Sequence, residues 1–454
     1  MNERYQKEYL SKLCTVDEAA KIIESGGYVA VPPVQGEPVQ LCETIANQLR
    51  SGDLRNMTIT NVWTLGKENP LFSEEFHNQV EIDSTFICDA YRWTVGAGAR
   101  HFVPANYTDV PRLFTRGYRK VKVFIAEVAP MDRHGYFNLS LALSHSQTIL
   151  RCAEKVIFIV NHKMPRVFGD TAVHISQVDC IVEHTHDLVE LHAEGTNPNA
   201  MAMAGYIADM VPDGACLQVG VGGVPNAVAG LLRDKRDLGI HTELFCECMI
   251  DLIECGAVNN SRKEVNRGKS VFTFAMGTKR MYDYVDENPG VETYEVDYIN
   301  DPTVIAKNKN VISINATLQV DLTDQCCSEP IGFRQYSGVG GQADFCYQMA
   351  DVLAVRDDYR SQTWTMLIEE CSNSGLTKRE FCRRRGISEK SFYYWLRKLR
   401  SQMAEAAGPQ IVQLESSVTS TEILQIHYRG AELKLPADVD IEAVAVLLRS
   451  IQSL

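Results

Sequence analysis

The sequence lacks the long apolar segments of membrane and secreted proteins. None of its apolar runs reaches the roughly 18 to 20 residues that span a bilayer. The first eight residues, MNERYQKE, contain no apolar signal core. We therefore expect a cytoplasmic protein that makes no contact with a membrane.

Cysteines are present, fourteen in 454 residues, but their spacing indicates neither a metal site nor a disulfide framework. Only Cys246 and Cys248, and Cys326 and Cys327, lie close together in the sequence. There is no CxxC pair, and the histidines have no ligand spacing. We expect reduced, mostly buried thiols and no bound metal ion.

The charge of the chain is unevenly distributed. A net charge of −13 would repel nucleic acid if it were spread evenly. Between Lys378 and Arg400, however, nine basic residues stand against two acidic ones, a local charge of +7. The length and the 45% hydrophobic content allow two or three domains with large cores.

The first 194 residues alternate between helix and strand signals. The capping-box sequence Thr15-Val-Asp-Glu18 opens a predicted helix from Ala19 to Ser25, and a strand is predicted from Tyr28 to Val34. Further helices are predicted up to Leu49 and at 144–155, and further strands at 57–62, 85–91, 121–128 and 156–160. This alternation indicates an open α/β domain with a parallel sheet that closes near Glu194.

Residues 195–345 repeat this layering. Helices are predicted at 200–210 and 226–235, and strands at 215–219, 238–243, 271–275, 293–297 and 311–315. The fold class that we predict is therefore α/β, with two similar open α/β domains in succession.

One carboxylate, Glu243, stands near the end of the apolar run from Leu238 to Phe245. Alternating residue types in this run predict a strand that turns one polar face outward. Before it, Gln218-Val-Gly-Val-Gly-Gly-Val-Pro-Asn226 leads from a strand through a glycine turn into a helix. Such a turn can bring backbone N–H groups close to a ligand. A lone glutamate such as Glu243 is more commonly an ordinary solvated strand residue, and only its context favours a functional role.

Four stretches, in order, carry a resemblance to a known family. They are Met131-Asp-Arg-His-Gly-Tyr-Phe-Asn138, Gly220-Val-Gly-Gly-Val-Pro-Asn226, Gly239-Ile-His-Thr-Glu-Leu-Phe245 and Gln335-Tyr-Ser-Gly-Val-Gly-Gly-Gln-Ala-Asp-Phe345. The chain resembles the acetyl-CoA hydrolase/transferase family through them, and most closely its 4-hydroxybutyrate and butyryl-CoA:acetate CoA-transferase members. One departure is Cys246-Glu-Cys248, where the family has Ser-Asp-Gly.

The resemblance implies transfer of coenzyme A between a short-chain acyl-CoA and a carboxylate such as acetate. Coenzyme A would be a substrate and a covalent intermediate, not a permanently bound cofactor. Glu243 would be the nucleophile that forms a glutamyl-CoA thioester. We assign CoA and oxyanion contacts to six positions, with Leu318 as a weaker candidate: Gln218, Val219, Gly220, Val221, Gly222 and Gly341. Thioester hydrolysis is the near alternative, and a homo-oligomer is compatible with the sequence.

The last hundred residues have a different character. A short helix beginning at Thr377, a turn at Gly386 and a basic aromatic helix from Glu389 are the parts of a helix-turn-helix. A solvated basic hairpin of helices would show the same pattern. Residues 349–454, with a closing hairpin and helix, also resemble the accessory protein of a transposable insertion-sequence family. This resemblance implies a truncated second domain, weak DNA binding by the tail and, as a further alternative function, a DNA-binding accessory protein on an inert enzyme fragment.

Overall fold

The computed structural model describes residues 3–65, 69–95, 100–192, 198–220, 222–323, 325–346, 364–406, 423–428 and 431–436. The chain divides into two compact units, Met1–Leu353 and Ala354–Leu454. None of the helices in these ranges is long and apolar enough to cross a membrane.

The first unit begins with a seven-stranded sheet in which all neighbouring strands are parallel. Its spatial order is Cys180–Glu183, Lys155–Val160, Val123–Val128, Tyr28–Ala30, Met57–Thr60, Val80–Ser84 and Arg100–Phe102. The central strands are buried on both faces and mostly apolar, as expected for a parallel sheet covered by helices on both sides. The predicted parallel sheet is confirmed.

Helices cover this sheet, and several begin or end where local sequence signals place them. Thr15 caps the helix Val16–Ala20 in a reciprocal capping box with Glu18. The strand Tyr28–Ala30 is shorter than predicted because two prolines, which have no N–H to donate to a neighbouring strand, soon follow. The other α-helices of this part are Glu3–Lys12, Val39–Ser51, Val110–Thr115 and Ser146–Cys152.

The predicted strand at 85–91 is wrong. The strand lies earlier, at Val80–Ser84, where apolar and polar residues alternate between buried and exposed positions. The apolar residues that follow instead enter a 3₁₀ helix, Asp89–Thr94. Shorter 3₁₀ turns lie at Val34–Gly36, Pro70–Phe72, Glu74–Phe76, Tyr107–Asp109 and Ile175–Gln177.

The next part of the first unit is built around a smaller parallel sheet. Its central strand, Cys216–Val219, pairs with Gly239–Ile240 on one side and Val311–Ile314 on the other. Two further groups of parallel strands form separate small sheets in this part of the chain. They are Leu244–Phe245 with Phe274–Ala275, and Ser270–Phe272 with Val291–Thr293 and Phe168–Gly169. The α-helices are Pro198–Met210, Gly223–Leu231, Glu247–Glu254, Lys279–Val285, Val296–Ile299, Pro302–Ile305 and Gln342–Cys346.

Small antiparallel pairs make up the remaining strands of the first unit. Tyr136–Asn138 pairs with Ala172–His174. After the smaller sheet, Gln319–Val320 pairs with Cys326–Cys327, and Pro330–Ile331 pairs with Arg334–Gln335. The second of these hairpins leads into the glycine-rich turn before the helix Gln342–Cys346.

The expectation that the cysteines are reduced is wrong for one pair. Cys14 and Cys180 form a disulfide. Cys14 lies beside the edge strand that begins at Cys180, and its N–H donates to the carbonyl of Ile181 at 2.9 Å. The two cysteines are 166 residues apart, so sequence spacing gives no indication of the pair.

The second unit contains the predicted helix-turn-helix. A helix at 364–373 precedes Lys378–Arg385, and the longer helix Glu389–Ala406 follows. Thr377 caps the middle helix, and Gly386 ends it in the left-handed conformation, which favours glycine. A small core holds the helices together through Cys371, Phe381, Cys382 and Phe392. The strands Ile423–Tyr428 and Ala431–Pro436 form the predicted hairpin, and the helix predicted after it lies outside the described residues.

Candidate active site

Glu243 lies in a break between two short strands, Gly239–Ile240 and Leu244–Phe245. Its carbonyl accepts the N–H groups of Thr273 and Phe274, at 3.0 and 3.2 Å. These bonds anchor the backbone at Glu243, although Glu243 belongs to neither of the two strands that flank it.

The predicted outward polar face of this segment is wrong. His241 and Thr242 are buried. The ring Nε2 of His241 lies 2.7 Å from the carbonyl oxygen of Ile299, and burial lowers the pKa of the imidazole to about 4. A neutral imidazole with a backbone partner can be buried at little cost. Glu243 is partly buried and borders a cavity.

Two side chains from distant parts of the sequence meet at the Glu243 carboxylate. The side-chain amide of Asn300 donates to Glu243 Oε2 at 2.8 Å and to Asp344 Oδ2 at 3.1 Å. Asp344 is buried and also accepts the backbone N–H of Thr108 at 3.1 Å. Asn300 is likewise buried, so one amide group holds two carboxylates close together.

Gly341 approaches the same carboxylate with its backbone. A Cβ atom at this position would lie 1.6 Å from Glu243 Oε2 and 2.3 Å from Asn300 Nδ2, far inside contact distance. Only glycine fits here without displacing Glu243 or Asn300. Gly341 therefore lies directly beside the predicted nucleophile, Glu243, and its role in CoA or oxyanion contact stays a prediction.

The surroundings change the ionisation of both carboxyl groups. Burial raises the pKa of Glu243 to about 7, the negative charge of Asp344 raises it as well, and the hydrogen bond from Asn300 opposes this rise. Burial also raises the pKa of Asp344, to about 6. A carboxyl group with a pKa near neutrality is partly ionised at physiological pH and can act as a nucleophile or a base there.

A narrow, mostly apolar cavity of about 30 Å³ borders Glu243. Trp63 and Phe86 form one wall and stack with their ring centroids 5.9 Å apart. Phe274 and Tyr107 form another, in an edge-to-face pair at 6.4 Å. Such a cavity suits a small apolar group next to the carboxylate.

Tyr107 connects the cavity to a buried polar chain. Its hydroxyl hydrogen-bonds with Ser144 Oγ, which lies 2.8 Å from Nδ1 of His145. Burial lowers the pKa of His145 to about 3, and burial followed by the charge of Glu243 raises the pKa of Tyr107. At neutral pH both rings are therefore uncharged, and the chain contributes hydrogen bonds without a charge.

The glycine turn lies at the same edge of the smaller sheet as Glu243. Leu217 pairs with Ile240 in parallel register, so the strand ends that lead to Gly220 and to Glu243 are adjacent. Gly220 packs closely on Asn315, and Gly222 caps the helix Gly223–Leu231 with φ +134°.

The remaining predicted contacts differ in position. Gln218 is buried, and its side-chain oxygen accepts hydrogen bonds from Ser313 and Asn315. Val219 follows it at the end of the strand Cys216–Val219. Val221 lies outside the described residues. Leu318 is 39% exposed at the start of a hairpin, with its N–H donated to Cys327. The roles assigned to these residues stay predictions.

Sequence reasoning missed Asn300, Asp344 and the aromatic walls of the cavity. Asp344 lies inside the quoted stretch Gly-Gly-Gln-Ala-Asp-Phe, so a signal for it was present. Asn300 lies in none of the quoted motifs and is 57 residues from its partner Glu243. Across the described residues, no group of three or more His, Cys, Asp or Glu side chains is arranged to hold a metal ion.

Known proteins match the chain in three segments. Residues 1–191 match the acetyl-CoA hydrolase/transferase N-terminal domain, and residues 277–354 match the C-terminal domain of the same family. Residues 359–423 match a transposase family of the helix-turn-helix type.

Individual relatives match the first three quarters of the chain. It is 44% identical over 341 residues to a succinyl-CoA:cyclohexane-1-carboxylate CoA transferase of Geobacter metallireducens, covering 75% of this chain and 77% of that protein. It is 37% identical over 341 residues to a 4-hydroxybutyrate coenzyme A transferase of Clostridium kluyveri, covering 75% and 79%. The structure of RipA from Yersinia pestis matches with a TM-score of 0.72 and 41% identity, over 76% of this chain and 80% of that one. The chain thus belongs to the acetyl-CoA hydrolase/transferase family, as a CoA-transferase homologue followed by a transposase helix-turn-helix domain.

Proposed function

We propose that this protein transfers coenzyme A from a short-chain acyl-CoA to a free carboxylate, with Glu243 as the nucleophile. Several relatives are named CoA transferases, which supports CoA transfer as the reaction class. One observation supports this role for Glu243. Asn300 holds the Glu243 carboxylate beside the backbone of Gly341, at the edge of the cavity.

The reaction would proceed through two covalent intermediates. A carboxylate oxygen of Glu243 attacks the thioester carbonyl carbon, and the carbon–sulfur bond breaks. CoA departs as the thiolate, and an acyl-glutamyl anhydride remains on the enzyme. The thiolate then attacks the glutamyl carbonyl and releases the first carboxylate, which leaves a glutamyl-CoA thioester. A second carboxylate repeats these two steps in reverse and leaves as the new acyl-CoA.

Each step places negative charge on a carbonyl oxygen near Glu243. The N–H groups of Gly222, which precedes the helix Gly223–Leu231, and of Gly341 are the candidates to stabilise that charge. The N–H of Gly220 already donates to the carbonyl of Ile314 at 2.8 Å. Asn300 would orient the carboxylate for attack. The narrow aromatic cavity favours a short acyl group over a long one. Acetyl, butyryl and 4-hydroxybutyryl are the acyl groups that the family resemblance suggests.

We also propose that the second domain is truncated where the tail begins. Apolar side chains are exposed in the two hairpins before the tail, as expected if the packing partners of this region are absent. These are Leu318, Val320, Leu322, Ile331 and Phe333. The match to the Geobacter relative covers only 77% of that protein. Lower activity than in a complete enzyme follows from this proposal.

The covalent intermediate provides the decisive experiment. Purified full-length protein is incubated with acetyl-CoA and reduced with borohydride, which converts a glutamyl thioester into an alcohol. Peptide mass spectrometry should find one oxygen lost and two hydrogens gained at Glu243. Glu243→Ala should abolish both activity and this change, whereas Glu43→Gln, on the exposed face of a surface helix, should retain both. Activity that persists in Glu243→Ala would overturn the proposed mechanism.

The same assay distinguishes transfer from hydrolysis. If acetate and butyrate accelerate the exchange of acyl groups between CoA esters, the protein is a transferase. If CoA thiol is released at the same rate with and without an added carboxylate, water is the acceptor and the protein is a thioester hydrolase.

A second proposed activity belongs to the tail, which we propose binds DNA. Its match to a transposase family and its basic last helix, Glu389–Ala406, support this. Lys390 and Arg397 are exposed on that helix and are suited to contact phosphates. Retention on DNA that weakens as salt increases would support this activity.

A further inference from the structure

Two cysteine sulfurs lie in contact, at residues three and five positions after Glu243 in the sequence. Sγ of Cys246 is 3.2 Å from Sγ of Cys248. Cys246 directly follows the strand Leu244–Phe245 and caps the helix Glu247–Glu254, in whose first turn Cys248 lies. Both residues are partly buried, and neither is fully enclosed by the core.

The residue between the two cysteines fixes the turn. The carboxylate of Glu247 accepts the N–H and the hydroxyl of Thr278, at 3.2 and 2.9 Å, and pairs with Arg280 at 3.1 Å. The N–H of Met249 also donates to the carbonyl of Cys246 at 3.0 Å. The backbone around the two thiols is therefore held in place with both sulfurs on one side.

Little movement separates this arrangement from a covalent bond. A disulfide needs a sulfur–sulfur distance of about 2.05 Å. The two sulfurs would have to approach by about 1.2 Å, which side-chain rotation and a small backbone shift can supply. The third cysteine of this segment, Cys255, lies at the other end of the helix and has its sulfur against the carbonyl of Leu252 at 3.4 Å.

We propose that Cys246 and Cys248 form a modification site at which a peroxide converts the two thiols into one disulfide. The sulfur of Cys248, as thiolate, attacks one peroxide oxygen. The oxygen–oxygen bond breaks, and the leaving hydroxide takes up a proton as water. The sulfur of Cys246 then attacks the resulting sulfenic acid, forms the sulfur–sulfur bond and releases a second water. Two thiols are oxidised by two electrons, and one peroxide is reduced to two waters.

The order of attack follows from the surroundings of the two thiols. The neighbouring thiol of Cys248 and burial both raise the pKa of Cys246 well above its usual value. The raised pKa makes Cys246 the less reactive thiol toward peroxide, which favours Cys246 as the resolving thiol and Cys248 as the thiol that meets the peroxide first.

Digestion with a glutamate-specific protease tests this site in the full-length chain. The protein is treated with hydrogen peroxide, the remaining thiols are alkylated, and the chain is cleaved. Cleavage after Glu243, Glu247 and Glu254 places the three cysteines of this segment in three different peptides. We expect the peptide 244–247 to be joined to the peptide 248–254 by a bond that dithiothreitol breaks.

Three variants make this result specific. Cys255→Ser should retain the linked peptides, whereas Cys246→Ser and Cys248→Ser should each abolish them. Recovery of the two wild-type peptides as separate alkylated species, or linkage of either one to Cys255, would overturn the proposal. The readout is a peptide mass from the wild-type chain, so it does not depend on CoA transfer or on the folding of a variant.

Discussion

The side-chain amide of Asn300 lies 2.8 Å from Glu243 Oε2 and is a hydrogen-bond donor to it. The two residues come from different loops, and Asn300 follows directly after the helix Val296–Ile299. The bond lowers the pKa of Glu243 and so opposes the effect of burial. Asn300 therefore favours the ionised form of Glu243, which is the form that the proposed nucleophilic role requires.

Replacing Asn300 with leucine should slow CoA transfer. The substitution removes the donor while it keeps the branching and the number of heavy atoms of the side chain. Loss of the donor raises the pKa of Glu243 and leaves its orientation undefined. A hydrogen bond to a charged group contributes about 1.5 to 3 kcal/mol, so kcat should fall about 10- to 100-fold. Steady-state kinetics measure this effect, and Asn78→Leu, at an exposed position, is the control. An unchanged kcat in Asn300→Leu would show that the bond plays no part in catalysis.

The rate of CoA transfer should depend on pH through Glu243. Only the ionised carboxylate is nucleophilic, and burial raises its pKa to about 7. The value of kcat/KM for the free enzyme should therefore rise with pH, reach half of its maximum near pH 7 and level off above it. A profile that is flat from pH 5.5 to 9 would contradict this assignment.

Asp344 offers a test of the cause of this raised pKa. Asp344→Asn keeps an acceptor for Asn300 and for Thr108 but removes the negative charge that raises the pKa of Glu243. The midpoint of the pH profile should move to lower pH, because a group with a lower pKa ionises earlier as pH increases. Asp234→Asn, on the surface, should leave the midpoint unchanged. A shift to higher pH in Asp344→Asn would mean that Asp344 acts on Glu243 in another way.

Gly341 should not tolerate a side chain. In Gly341→Ala the new Cβ would meet Glu243 Oε2 at 1.6 Å, so the carboxylate must leave its position beside Asn300. We expect a loss of kcat of at least about 100-fold, because displacing a reacting group by about 1 Å can have an effect of that size. Gly205→Ala, in the helix Pro198–Met210 where a Cβ meets nothing within 4 Å, should retain full activity.

A circular dichroism spectrum separates this effect from unfolding. Gly341→Ala should give the wild-type spectrum, because the substitution lies in a turn next to the site. If Gly341→Ala is folded and as active as the wild type, the close approach of backbone and carboxylate has no catalytic importance.

Local sequence patterns were sufficient for the parallel sheet and for the tail helices. The run Lys155–Val160 is apolar and β-branched, and Thr377 and Gly386 are an ordinary helix cap and stop. These signals act over a few residues, so the sequence exposes them directly.

The geometry of the site depends on contacts between distant residues. The segment around His241 resembles a half-exposed strand, and it is buried because the imidazole finds a backbone partner at Ile299, 58 residues away. Asn300 and Asp344 likewise reach Glu243 only through the fold. Cys14 and Cys180 show the same limit at a separation of 166 residues.

The tail provides a prediction that is independent of CoA transfer. If the last helix, Glu389–Ala406, contacts DNA phosphates, binding of the full-length protein should weaken as salt increases, because each neutralised phosphate releases counterions. Lys390→Ala and Arg397→Ala should each reduce the logarithmic slope of this salt dependence by about 0.9. Retention on DNA between low and moderate salt measures the slope.

The control is Lys307→Ala, which removes an exposed positive charge from the enzyme part and should leave the slope unchanged. This comparison separates phosphate contacts from a general effect of net charge, because all three variants lose one positive charge. Equal slopes in the wild type and in the two tail variants would mean that these side chains make no phosphate contact. If the wild-type protein is not retained on DNA even at low salt, the basic helices of the tail form only a solvated surface, and the proposed DNA binding is wrong.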